Sequence, residues 1–165
     1  MIDIDPLPND QLGNAALVRL YPRLRRFAAV VAPAEVAPDD LVQEALERLL
    51  ARDTSGIVNV EAYLRQTMLR LASNHRRRLG RWRRAVTATA DLAARADANA
   101  EYPSDVSFLD QLKPTARAIL FLHEVEGVDF ATIGRQLGLS EDAVKQSARR
   151  ARRQLRNHIE LGDQI

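Results

Sequence analysis

The chain has 165 residues with 24 Lys plus Arg against 22 Asp plus Glu, a length that fits one domain or two very small ones and argues against a large enzyme. Leu, Ile, Val and Phe number 45, about 27 percent, above the roughly 20 percent below which chains tend to stay disordered. With no cysteine there is no disulfide framework and no thiolate metal or redox site, and no basic start with an apolar run marks export or a membrane span, so the cytosol is the expected compartment.

The net charge of +2 conceals a segregation. Residues 62 to 90 carry eight Arg and no acid, residues 145 to 157 carry six Lys/Arg and no acid, and the remainder holds 10 positive against 22 negative charges. That divides the chain into +14 and −12, and two like-signed blocks in an otherwise acidic chain point to a polyanion partner. The basic residues are 22 Arg to 2 Lys, which suits planar contacts to phosphates and bases, although a GC-rich genome gives the same bias.

Helical periodicity dominates, so the predicted fold is all-α: two small helical domains joined by a flexible linker. Residues 1–14 form an N-terminal extension, 15–84 the first domain, 85–105 the linker and 106–161 the second domain. Over residues 15 to 31, Leu17, Leu20, Tyr21, Leu24, Phe27, Ala28 and Val31 make one apolar stripe. Pro22 inside it predicts either a kink or a helix start near that point. Pro38, Asp39 and Asp40 open a second helix, with acids where the helix dipole favours them and Leu41, Val42, Ala45, Leu46 and Leu49 as its apolar face. Its outer strip of Asp40, Gln43, Glu44 and Glu47 would repel DNA and could dock a basic protein surface; a plainly solvated face is the alternative.

The segment from Asp53 to Gly56 stops that helix, and a third begins at Glu61 with the stripe Leu64, Met68, Leu71, His75, Leu79 and Trp82. Arg70, Arg77, Arg81 and Arg84 fall together on the opposite face with Asn74 at their edge, and Arg65, Arg76 and Arg83 form a flanking row that widens the footprint. One face buries and the other meets phosphate, whose neutralisation releases counterions and makes binding salt-sensitive. Eight alanines among residues 85 to 105 mark the linker, where Asp91 to Ala100 allow a short helix. Each domain is small enough to be marginal alone, so mutual docking or a partner should stabilise both.

The strongest local signal is FATIGRQLGLSEDAVKQS, Phe130 to Ser147, which has helix-turn-helix spacing. Gly134 lies where the helices cross, Gly138 can take the left-handed turn conformation, and Ile133, Leu137, Leu139 and Val144 fill the small core. Asp129 and Ser140 stand as N-caps. On the second helix Val144, Ala148, Ala151, Leu155 and Ile159 face inward, while Asp142, Lys145, Gln146, Arg149, Arg150 and Arg153 face outward, where Gln can read adenine and Arg guanine in a major groove. A helical hairpin with a solvated basic face is the plain alternative. His75, His123 and His158 are scattered, no nucleophile and base pair stands out, and no metal or cofactor is expected.

Taken in order, DDLVQEALERLL, AYLRQTMLRLASNHRRRLGRWRR, a linker and LKPTARAILFLHEVEGVDFATIGRQLGLSEDAVKQSARRARRQLR resemble a bacterial RNA polymerase sigma factor of the extracytoplasmic-function group, within the sigma-70 family, over about residues 15 to 160. LFLHEVEGVDFATIGRQLGLS is most similar to the iron-starvation branch. The resemblance implies that Asp40, Gln43 and Glu44 dock on the clamp helices of the polymerase β′ subunit and that region four meets the β flap. It also implies that the loop from Arg52 to Val60 captures a flipped −10 base, that Asn74, Arg77, Arg78 and Arg81 lie on the helix meeting −10 DNA, and that the outward face of the last helix reads −35. Asn74 stands where the family usually has Asp, and Ala143 and Ser147 where Thr and Arg are common, which leaves the promoter preference undetermined. An anti-sigma factor is implied by the family alone. The rival reading is a sigma mimic that titrates an anti-sigma protein without touching DNA; it has no need for two basic, acid-free segments.

Overall fold

The computed structural model describes residues 14–54, 56–89, 109 and 111–162, and among them there is no strand. Three helices, α1 (Asn14–Val31), α2 (Pro38–Leu50) and α3 (Val60–Thr89), form the first unit. The second has α4 (Pro114–Leu120), which runs directly into a π-helical turn (Phe121–Val125), followed by α5 (Phe130–Leu137) and α6 (Glu141–Gly162). α3 extends to Thr89, past Arg84 where the sequence ended the domain, and the short helix expected over Asp91 to Ala100 lies outside the described residues.

Pro22 sits inside α1 rather than at its start. Val18 and Pro22, one turn apart, are both exposed, so the carbonyl that proline leaves without a donor is on the solvent side, where water can replace the bond. α2 starts on Ala37 without a side-chain cap; Pro38 at its first turn has no N–H to satisfy, and Asp39 and Asp40 meet the positive end of the dipole. The apolar stripes meet where expected, with Leu24, Phe27, Val31, Leu41, Leu49, Leu64 and Met68 all buried. Tyr21 is the exception on α1. Its ring is partly exposed, and its hydroxyl donates to Asp39 Oδ1 at 2.5 Å.

In the second unit Ile119, Leu122, Ile133, Val144 and Ala148 are buried, but Val125 is 70% exposed. The intervening turn explains the shift: Glu126 N–H bonds Phe121 O at 3.1 Å, one residue further back than α geometry, so the residues after it are rotated relative to a regular helix. Leu139, expected in the core, is likewise partly exposed within the turn between α5 and α6.

That turn is locally specified. Gly138 has φ 69° and terminates α5 in the left-handed conformation. Gly134 is needed for closeness: a Cβ there would lie 2.7 Å from the backbone oxygen of Leu139, and backbone cannot yield as a side-chain tip can. Gly134→Ala should therefore lower stability by about 1 to 3 kcal/mol or more, read as a lower urea midpoint. A wild-type midpoint would mean that the helices separate at little cost.

The two units are docked on each other, with one continuous apolar core running through both. The Phe27 and Phe121 rings meet edge to face at 6.4 Å. Three arginines stitch the seam. Arg117 of α4 donates to Val31 O at 3.1 Å, at the electronegative end of α1, and Arg76 of α3 donates to Leu112 O at 2.6 Å. Arg65 of α3 donates to Glu126 Oε2 at 2.9 Å and to Gln136 Oε1 at 3.3 Å.

Candidate nucleic-acid interface

α6 presents its polar face as the spacing predicts. Gln146, Arg149, Arg150 and Arg153 are exposed along it, backed by the buried Val144, Ala148 and Ala151. Its start is fixed by Ser140, whose Oγ accepts from Ala143 N at 3.2 Å. Lys145 is partly covered and pairs with Glu141 at 2.6 Å, a bond that raises its pKa and engages part of its charge within the helix. One helix earlier, Asp129 caps α5 by accepting from Thr132 N at 2.8 Å and from its hydroxyl at 2.7 Å. These bonds, the backbone one first, hold the Asp129 carboxyl below its ordinary value.

α3 carries the second basic surface. Arg70, Asn74, Arg77, Arg78, Arg81 and Arg84 are all exposed. The flanking row is different and corrects the expectation. Arg65 is only 2% exposed, held by Glu61 Oε1 at 2.7 Å as well as by Glu126 and Gln136, with its guanidinium 5.3 Å from the Phe27 ring centre. Arg76 turns to the Leu112 carbonyl and Arg83 pairs with Glu35. Arg65 and Arg76 thus hold protein together, whereas Arg83 remains largely exposed beside Glu35. Trp82 is corrected in the opposite sense: assigned to the apolar stripe, it is 59% exposed. An accessible indole among arginines offers a face on which an unpaired base could stack.

Between α2 and α3, the loop forms an open pocket of about 650 Å³ whose walls include Arg52, Asp53, Ile57, Asn59, Tyr63 and Gln66. Ile57 is buried and anchors the loop to the core, while Asn59 Oδ1 accepts from Ala62 N at 2.9 Å and caps α3. Arg52 lies 5.2 Å from the Tyr63 ring centre and donates to its hydroxyl at 3.3 Å; that bond is the main cause of the lowered Tyr63 pKa. An aromatic face, a guanidinium and two amides around a concave space can hold a planar heterocycle by stacking and edge hydrogen bonds. The sequence placed the loop but gave Tyr63 no role; its position one turn into α3, beside the cap, was the available signal.

The acidic strip of α2 is accessible but internally tethered. Asp40 and Gln43 are exposed, with Gln43 donating to Glu47 Oε1 at 3.1 Å. Glu44 takes a bond from Arg48 at 2.9 Å and faces His75 Nε2 at 3.2 Å. His75, though on the apolar stripe, is therefore a half-covered link between α2 and α3. The neighbouring Asp39 is engaged by Tyr21 and by Arg25 at 2.9 Å; these bonds, Tyr21 first, lower its pKa.

This geometry matches known domain types. Residues 17–83 match sigma-70 region 2 and residues 106–155 match sigma-70 region 4, so the chain has the paired helical domains of the sigma-70 family. In fold it is similar to the sigma factor RpoE of Bartonella quintana, solved in complex with the anti-sigma factor NepR, at 21% identity and a TM-score of 0.64, covering 88% of this chain and 95% of that one. No curated protein matches the chain. None of the helices among the described residues is long and apolar enough to cross a membrane.

Proposed function

We propose that this protein is a sigma factor of the extracytoplasmic-function group that binds core RNA polymerase and directs it to promoters. In this reading Arg70, Asn74, Arg77, Arg78, Arg81 and Arg84 on α3 meet the −10 element, and the pocket of Arg52 and Tyr63 receives a base flipped from it. Lys145, Gln146, Arg149, Arg150 and Arg153 on α6 read the −35 element. Asp40, Gln43 and Glu44 dock on the β′ clamp helices, and the second unit meets the β flap. The single observation that carries the reading is that two basic faces, one on each unit, stand exposed while the arginines between them are buried against acids and carbonyls. A sigma mimic that only titrates an anti-sigma protein would have no use for those exposed faces.

The solved complex of RpoE with NepR supports an anti-sigma protein as a further partner of this chain. Placement in the iron-starvation branch is supported only by the segment from Leu120 to Ser140.

Transcription in vitro tests the proposal. Core polymerase with this protein and a library of upstream DNA should give specific starts, and Asp40→Lys with Glu44→Lys should abolish them by weakening polymerase binding while helicity is kept. No starts beside a working control sigma would defeat the reading, and unchanged polymerase binding by the double variant would remove the docking role.

A further inference from the structure

We propose that His75 is a positioning residue for polymerase docking: from α3 it holds the carboxylate of Glu44, on α2, in the orientation that meets the partner. The proposal rests on the docking reading above and adds to it a residue from outside the acidic strip. His75 follows the buried Leu71 by one turn on the apolar stripe of α3, and its side chain is 29% exposed. Its Nε2 faces Glu44 Oε2 at 3.2 Å, while Arg48 donates to the other oxygen, Oε1, at 2.9 Å. Each donor thus takes one carboxylate oxygen, and together they fix the plane of the group. An ionised carboxylate can only accept, so the ring nitrogen facing it is the protonated one. Such a group has about four acceptor sites, which leaves roughly half of them for a partner.

The two tethers are unequal. Arg48 belongs to α2 itself, four residues from Glu44, and its side chain is 51% exposed, so it makes the kind of surface pair that holds little. His75 comes from a second helix, turns about only two side-chain torsions and is mostly covered, so its donor has a fixed place. The rest of the strip is held differently: Gln43 bonds Glu47 within α2, and Asp40 stands exposed one turn before Glu44. A glutamate free to sample its rotamers must be ordered when a partner binds, whereas one already held lost that freedom on folding. Asn74 beside His75 and Arg78 three residues on are both exposed, so the orienting histidine sits on the helix proposed to meet the −10 element.

The affinity of full-length variants for core polymerase tests the assignment. His75→Leu keeps an apolar side chain of similar bulk on the stripe but has no donor, and it should weaken binding about three- to tenfold, the scale of leaving one long side chain unordered. His75→Gln puts an amide N–H at about the reach of Nε2 and should restore most of the affinity. A purely structural role gives the reverse order, since leucine suits an apolar stripe better than glutamine; urea unfolding checks that both variants are folded. The effect should also run through Glu44 alone. In a Glu44→Ala background His75→Leu should change nothing further, whereas in an Asp40→Ala background it should act in full. Parent-like binding by His75→Leu where Glu44→Ala weakens it, no rescue by His75→Gln, or a full additional loss on top of Glu44→Ala overturns the positioning role and leaves the docking reading standing. If Glu44→Ala itself binds as the parent does, the docking role of Glu44 falls and the positioning role falls with it.

Discussion

Arg65→Ala should cost about 3 to 5 kcal/mol, a large part of the ~5 to 15 kcal/mol that holds a typical domain folded. The side chain is 2% exposed and lies between two carboxylates, Glu61 and Glu126, each 13% exposed. Removing it leaves Glu126 buried without its cation, whereas Glu61 keeps Arg23 at 3.3 Å. A void over the Phe27 ring adds to the loss, since the guanidinium packs there. The measurement is urea unfolding followed by helicity. Replacing the seam pair together should recover much of the loss: Arg65→Met with Glu126→Gln removes both charges of that contact, and Glu61 keeps Arg23 as its partner. A loss below about 1 kcal/mol for the single alanine would place Arg65 in the class of surface ion pairs and contradict its burial.

Replacing Arg70, Arg77, Arg81 and Arg84 together by alanine should flatten the salt dependence of promoter binding. Each phosphate neutralised contributes about −0.9 to the slope of log K against log salt, so four lost contacts should reduce the slope by about three to four. The four side chains are exposed, so the change should leave the fold standing. Arg149→Ala makes the contrast. A residue that reads a base edge should relax preference at one position for about 1 to 3 kcal/mol, whereas the α3 arginines should weaken binding to all sequences alike. Titrations of labelled DNA over a salt series, with cognate and scrambled sequences, separate the two. An unaltered slope in the fourfold variant would mean that this face does not meet phosphate.

The sequence was most legible where local rules and tertiary packing agree. Asp129, Gly134, Gly138 and Ser140 define the helix-turn-helix by themselves, because caps and a close crossing depend on near neighbours in the chain. The stripes of α1, α2 and the first half of α3 were readable because three amphipathic helices can bury them only on one another. Reading failed where a second body decides the environment. A helical wheel put Arg65 beside the DNA-facing row, and nothing in its own helix except Glu61 four residues earlier hinted that Glu126 and Gln136 would come from the other unit. Trp82 failed in the opposite sense: its place on the apolar stripe did not bury it, and it is 59% exposed. The π-helical turn has no simple pattern in the residues Phe121 to Val125, so the displacement of Val125 to solvent was invisible.

Trp82 is the chain's one tryptophan. Since it stands in the open on the arginine-bearing helix, the protein's ultraviolet emission arises mainly from a spot beside the surface proposed above to meet the −10 element. The molecule thus carries a native optical reporter there: under the proposed reading, a nucleobase settling on that indole would dim it.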